Sequence, residues 1–229
     1  MSSAIALAGR AVGRLLDLAL PATCAGCGRE GDVLCPTCRP VLRARATTPP
    51  GTPIGLPSET PPPLLQLEWC APFNGPVRRT LHALKYAGEL RAVEPLAAAM
   101  ADRWRQAGAG GDVIGHVPVH RDRRRDRGYD QAERLARAMA ADLGLPHLAA
   151  LERDRATTAQ FKLDRTRRAS NVAGAFRLAD GLTPGTVAGH WFVLVDDVVT
   201  TGATLAACAA VLLEAGALGV SAMTVARER

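Results

Sequence analysis

Trp191-Phe-Val-Leu-Val-Asp-Asp-Val-Val-Thr-Thr-Gly-Ala-Thr-Leu205 holds a strand, a loop and the start of a helix. Trp191 to Val195 are five apolar residues in a row, the pattern of a parallel strand buried on both faces. From Leu205 to Ala215 the Ala/Leu-rich pattern predicts a helix. Asp196 and Asp197 fall where the strand is expected to end, and open α/β sheets bind ligands outside the carboxyl ends of their strands. Adjacent carboxylates repel unless hydrogen bonds or a cation compensate them, a need that vicinal sugar hydroxyls with a divalent metal would meet. Thr200, Thr201, Gly202, Ala203 and Thr204 then offer successive amides and hydroxyls at a helix N-terminus, which suits an anion. Gly202 admits a backbone conformation closed to other residues and a close approach by a ligand. Carboxylates for a diol and a cradle for a phosphate together describe a site for a sugar 5-phosphate.

Rival readings share parts of this pattern. A Walker B strand also ends in acidic residues but requires a G-x-x-x-x-G-K-[ST] loop, and neither of the two lysines, Lys85 and Lys162, follows a glycine. A response-regulator receiver carries its paired aspartates early, with most of its sheet still to come. The bland reading is a capped helix in a Rossmann-like sheet with no ligand.

The stretch resembles the 5-phosphoribosyl-1-pyrophosphate (PRPP) signature of the type I phosphoribosyltransferases. That resemblance implies a Rossmann-like parallel sheet with helices on both faces. It also implies PRPP contacts from Asp196, Asp197, Val198, Val199, Thr200, Thr201, Gly202, Ala203 and Thr204, with Mg²⁺ accompanying PRPP.

The 229 residues accommodate one α/β domain of about 150 residues and a small accessory unit. A hydrophobic content of 48% is ample for a core, and 4% aromatics suit a sheet-and-helix domain better than a base-stacking platform. The formal charge is +6 and all but two of the 28 basic residues are arginine, which favours anionic ligands or nucleic acid. A G+C-rich genome enriches arginine as well. No run of eighteen apolar residues occurs, so no membrane span is expected. Ala4 to Leu20, interrupted by Arg10, Arg14 and Asp17, reads as an amphipathic helix rather than a signal peptide. A cytoplasmic protein is the expectation.

Cys24-Ala-Gly-Cys27 and Cys35-Pro-Thr-Cys38 are two C-x-x-C knuckles seven residues apart. Each can aim two thiolates at one tetrahedral ion, so Cys24, Cys27, Cys35 and Cys38 predict a structural zinc site with no open position. Redox and disulfide readings compete with it, but glycines and Pro36 flank the knuckles, and a cytosolic chain rarely keeps disulfides. Cys70 and Cys208 lie in apolar patterns and are expected to be buried thiols. Residues 1–48 form the helix and zinc-binding module, 49–63 a linker with seven prolines, and 64–229 the α/β domain.

Within the domain, Leu64 to Phe73 reads as a strand. A helix from Pro76 follows, broken by Gly88 before a second from Glu89 to about Gln106. Val113 to Pro118 is the first core strand. The run Val119 to Gln131, rich in arginine, reads as a loop before a helix from Ala132 to Leu143. That run is either a diphosphate-binding loop, through bidentate guanidinium contacts, or a nucleic-acid patch. Asp122 and Asp126 weaken the second reading.

The double C-x-x-C, Lys85-Tyr86-Ala87-Gly88 (K-Y-x-G), Arg127-Gly128-Tyr129-x-Gln131 and the final motif occur in the order of the ComF family of predicted amidophosphoribosyltransferases. The resemblance covers nearly the whole chain. It adds Lys85, Arg127 and Gln131 to the PRPP site, although Lys85 also reads as a helix-end cap. With Asp196, Asp197, Arg127 and Lys85 as the catalytic set, it implies displacement of pyrophosphate from PRPP by an unidentified nitrogen acceptor. Asp130 departs from the family's asparagine, and an acid there would repel a diphosphate unless neutralised. Gln160, Leu163, Arg168 and Asn171 match a further ComF element, placed like the mobile catalytic loop of the type I enzymes. No catalytic cysteine follows Met1, so the resemblance implies no glutaminase. The alternative reading is a competence factor, with single-stranded DNA or the DNA-uptake machinery as partner and the fold binding PRPP or a nucleotide without catalysis. A third reading makes the zinc module a protein-interaction surface.

Overall fold

The computed structural model describes residues 21–50, 60–108, 110–153 and 174–228. The amphipathic helix expected over Ala4–Leu20, most of the proline-rich linker, and Gln160, Leu163, Arg168 and Asn171 lie outside the described residues.

Among the described residues four strands form one parallel sheet in the order β1-β6-β5-β2: β1 (Leu67–Pro72), β2 (Val113–His116), β5 (Trp191–Val199) and β6 (Gly219–Arg227). β3 (Leu151–Arg153) and β4 (Phe176–Leu178) pair antiparallel beside it. The helices are α1 (Gly75–Tyr86), α2 (Val93–Ala107), α3 (Arg121–Arg127), α4 (Gln131–Leu143), α5 (Pro184–Val187) and α6 (Ala203–Glu214), with a 3-10 helix at Arg39–Arg43. The expected parallel sheet with helices on both faces is present.

Side chains on a strand alternate between faces, so β5 feeds two cores at once. Val193 and Val195 join Met223 and Val225 against Val77, Leu81 and Leu84 of α1, Met100 of α2 and Met139 of α4. Phe192 and Leu194 join Val220 and Ala222 against Leu205, Cys208 and Leu212 of α6. An apolar run with no polar alternation is what two covered faces require. Cys70 and Cys208 are buried, one in each core.

Beyond β2, α4 packs on the first face, and α6, which follows β5, packs on the second, although β2 and β5 are neighbours. The chain therefore leaves adjacent strands in opposite directions, which opens a crevice at their carboxyl ends. Two elements differ from the sequence reading there. The Val119–Gln131 run is not a plain loop: His120 Nδ1 accepts from Asp122 N at 3.3 Å and starts α3, which ends at the left-handed Gly128. β5 also continues past both aspartates to Val199, because β6 accompanies it as far as Arg227.

The cysteine module is packed on the same body. Val33, Leu34 and Leu42 belong to the core of α1 and α2. Buried Glu68 of β1 anchors the joint. Its Oε2 accepts from Arg103 Nη2 at 2.7 Å and Nε at 3.0 Å and from Arg45 Nη2 at 3.5 Å, while Oε1 accepts from Gln66 at 2.9 Å. Arg103 Nη1 also donates to Arg45 O and Thr48 O, each at 2.9 Å.

Candidate functional site

Alternation along β5 sends Asp197 to the α1 face and Asp196 to the α6 face. Asp197 has a cation on its own side. Asp197, 4% exposed, forms an ion pair through Oδ2 with Lys85 Nζ at the last turn of α1. Burial alone would lower the Lys85 pKa, but the Asp197 and Asp196 charges outweigh it and hold the amine above its ordinary value. On the other face Asp196 shares its field with Arg153, at the end of β3, and with buried Cys208. Burial first, and the neighbouring Asp197 charge second, push the Asp196 carboxyl well above the usual carboxylate range. Its Oδ1 accepts from the Asp197 amide at 2.8 Å. A carboxyl crowded in this way ionises readily only when a cation arrives.

The bend Thr200–Thr204 follows directly. Gly202 holds φ 80°, and a Cβ there would lie 2.5 Å from Pro61 Cγ, so both backbone and packing demand glycine. Ala203 N donates to Thr201 Oγ1 at 3.4 Å. Among the described residues the amides of Thr200, Thr201 and Gly202 reach no backbone carbonyl. The bend thus keeps donors for an anion beside a helix N-terminus.

Across the crevice, α3 and the loop after it form the second wall. Lys85, Tyr86, Gly88, Arg123, Asp126, Arg127 and Tyr129 line a cleft of about 670 Å³. Arg127 Nη1 donates to Gln131 Oε1 at 2.9 Å, and its guanidinium lies 5.2 Å from the ring centre of Tyr86, which is 71% exposed. Buried Gln131 thereby orients Arg127. Arg121 and Arg124 pair with Glu152 at 3.1 Å and Glu133 at 3.3 Å, so α3 is not a bare positive stripe. Tyr129 Oη donates to Leu84 O and fastens this wall to the end of α1.

Asp130 does not face a diphosphate. Its Oδ1 accepts from Ala132 N at 2.9 Å and Glu133 N at 3.1 Å, capping α4, and its Oδ2 accepts from Val119 N at 2.9 Å. The departure from asparagine is an N-cap that gains a third amide.

Lys85 and Arg127 line the cleft, and Asp197 meets it through its ion pair with Lys85; Asp196, Val198, Val199 and the bend follow on the same strand and are not among the cleft's lining residues. Arg123, within the run read as a diphosphate loop, and Tyr86, within the K-Y-x-G element, line the cleft without having been singled out, and sequence reasoning missed Arg153 beside Asp196 altogether. It also missed a histidine pair: His116 Nδ1 lies 3.2 Å from His147 Nε2 with the rings stacked. Burial keeps His116 low, and burial with the facing ring takes His147 down to about 4, so both are neutral at neutral pH. No spacing announces a pair 31 residues apart.

At the cysteine module, the Sγ atoms of Cys24, Cys27, Cys35 and Cys38 lie within 4.8 Å of one another. Cys27 and Cys35 approach to 3.6 Å, near the roughly 3.8 Å edge of a tetrahedron with 2.3 Å Zn–S bonds. The amides of Gly26 and Cys35 donate to Cys24 Sγ, each at 3.3 Å. Burial would raise the Cys24 pKa, yet amides from Cys35, Cys27 and Gly26 bring it to about 6; burial and its neighbours push Cys38 up to about 12. Thiols crowded this closely ionise together only around a cation, and this donor set fits zinc.

No family model matches the chain. It is 31% identical to the DNA utilization protein YhgH of Salmonella typhimurium over 210 residues, 89% of this chain and 88% of that protein. It is also 31% identical to the protein of that name from Escherichia coli K12, with the same coverage. Among solved structures, 58% of the chain superposes on a quarter (25%) of the glutamine PRPP amidotransferase from B. subtilis, at 23% identity and a TM-score of 0.39. Among the described residues no helix is long and apolar enough to cross a membrane.

Proposed function

The chain belongs to the family of the DNA utilization protein YhgH, and on that premise we propose that it is a ComF-type phosphoribosyltransferase. It would bind PRPP and transfer its phosphoribosyl group to a nitrogen acceptor with release of pyrophosphate. The observation that carries this reading is the pair of carboxylates sent to opposite faces of one strand, one of them paired with Lys85, beside a bend whose amides reach no backbone carbonyl among the described residues.

Asp196 and Asp197 take the ribose hydroxyls. The high Asp196 pKa fits a divalent cation at this pair, and Mg²⁺ arriving with PRPP would supply charge for the departing diphosphate. Thr200 to Thr204 hold the 5-phosphate. Arg127, oriented by Gln131, and Lys85 steady the diphosphate. The C1–O bond to pyrophosphate breaks with its electron pair on the leaving oxygen, an oxocarbenium-like state follows, and the nitrogen lone pair forms the new C1–N bond and sheds its proton to solvent. Leaving-group stabilisation carries the step, and no side chain in the crevice is assigned as a general base. The test is pyrophosphate release from PRPP across a panel of nitrogen nucleophiles. Acceptor-dependent release by the parent and its loss in Asp196→Asn with Asp197→Asn is the expected result; no release with any nucleophile counts against catalysis.

The second reading is a DNA-associated role, which the relatives' name and the arginines of α3 favour. Binding to single-stranded DNA that weakens with salt and with Arg123→Ala, Arg125→Ala would support it. Deleting residues 1–63 would be uninformative, because Leu34 and Leu42 are core residues.

A further inference from the structure

The element between the cysteine module and the β5 site is α1. Arg79, midway along it, reaches back to the first knuckle, where its Nε donates to Ala25 O and its Nη2 to Gly26 O, the latter at 3.0 Å. Both carbonyls belong to the turn between Cys24 and Cys27, so the gathering of the four sulfurs sets their direction. The turn is tight, since a Cβ on Gly26 would lie 2.4 Å from Cys38 Sγ and 3.4 Å from Pro76 Cβ in the first turn of α1. Six residues beyond Arg79 the same helix delivers Lys85 to Asp197. One end of α1 is fixed by the module and the other meets the crevice.

We propose that metal loading of the four-cysteine cluster positions Lys85 against Asp197, with Arg79 as the positioning residue that passes the constraint along α1. A planar guanidinium fork on two carbonyls fixes a helix in rotation as well as position, which apolar contacts alone do not do. With the sulfurs held on one ion, the knuckle presents both carbonyls in place; without it, crowded thiols repel, the turn opens and Arg79 loses its acceptors. α1 then keeps its apolar face and the Tyr129 bond to Leu84 O but loses the fork that sets its rotation, and the amine one residue beyond Leu84 turns away from the carboxylate. The device concerns the protein before any ligand arrives, so it goes beyond the reading above and does not depend on it.

The chain has two lysines, which makes the device measurable without PRPP. The full-length, zinc-loaded protein is treated with a dilute amine-acylating reagent, and mass spectrometry follows Lys85 with Lys162 as reference. Lys85 is expected to react slowly, to react severalfold faster once the metal is chelated, and to be protected again by added Zn²⁺. Because stripping the metal can loosen the whole fold, the decisive variant keeps it. Arg79→Ala retains all four thiolates and a full complement of Zn²⁺, yet is expected to unmask Lys85 severalfold. Arg79→Lys, which still donates to the knuckle, recovers part of the protection. Lys85 that stays protected in zinc-loaded Arg79→Ala overturns the proposal.

Discussion

The cysteine module and the bend after β5 use the same material, backbone amides beside short side chains, to opposite ends. In the module the amides of Gly26 and Cys35 turn onto Cys24 Sγ, and the four donors come from a span of fifteen residues. In the bend the amides of Thr200, Thr201 and Gly202 meet no backbone carbonyl among the described residues, and the cation that pairs with the strand just before it, Lys85 on Asp197, comes from far away in the chain. A site closed upon itself holds structure together. The proposed site is the reverse, with donors that meet no carbonyl among the described residues and a carboxyl that resists ionisation, both of which a bound ligand and cation would satisfy.

The contrast breaks most completely at the closed side. Glu68→Ala leaves two buried guanidiniums without their carboxylate and is expected to cost about 3–5 kcal/mol in urea unfolding. A loss below about 1 kcal/mol would mean that the joint between module and sheet lies elsewhere. Asp130 sharpens it next. Asp130→Ala orphans three amides and is expected to cost about 2 kcal/mol, whereas Asp130→Asn keeps the cap and costs under about 1 kcal/mol. PRPP affinity should be equal in parent and Asp130→Asn; a large difference would put Asp130 in the ligand's reach.

The smallest effect is a proton. A carboxyl whose folded pKa is raised favours the folded state while protonated, so its contribution is lost as pH rises from the unfolded value, near 3.8, through the folded one. Parent stability should therefore fall across that window more steeply than that of Asp196→Asn. Identical pH profiles would show that Asp196 is neither buried nor crowded as described.

How far the sequence alone reaches follows the same division. Cys24 to Cys38 and Val195 to Thr204 were legible because their partners are close in sequence and the spacing itself is the geometry. The alternation that sends Asp196 and Asp197 to different faces was implicit in the strand. Which cation meets which carboxylate was not, since Lys85 and Asp197 are joined by the packing of α1 on the sheet. Asp130 looked like a misplaced charge because a cap and a ligand contact read alike until the amides are seen. The arginine run looked like a loop because His120, a weak N-cap signal, starts its helix.

The central claim is that Asp196 and Asp197, with the bend beside them, hold a phosphorylated pentose. Calorimetric titration of PRPP with Mg²⁺ into the zinc-loaded parent and into Asp196→Asn with Asp197→Asn tests it most directly. The account predicts saturable binding by the parent and a loss of at least about a hundredfold in the variant, as removing two charge-assisted contacts implies. Equal affinities in the two proteins, or no binding by the folded parent, would contradict it.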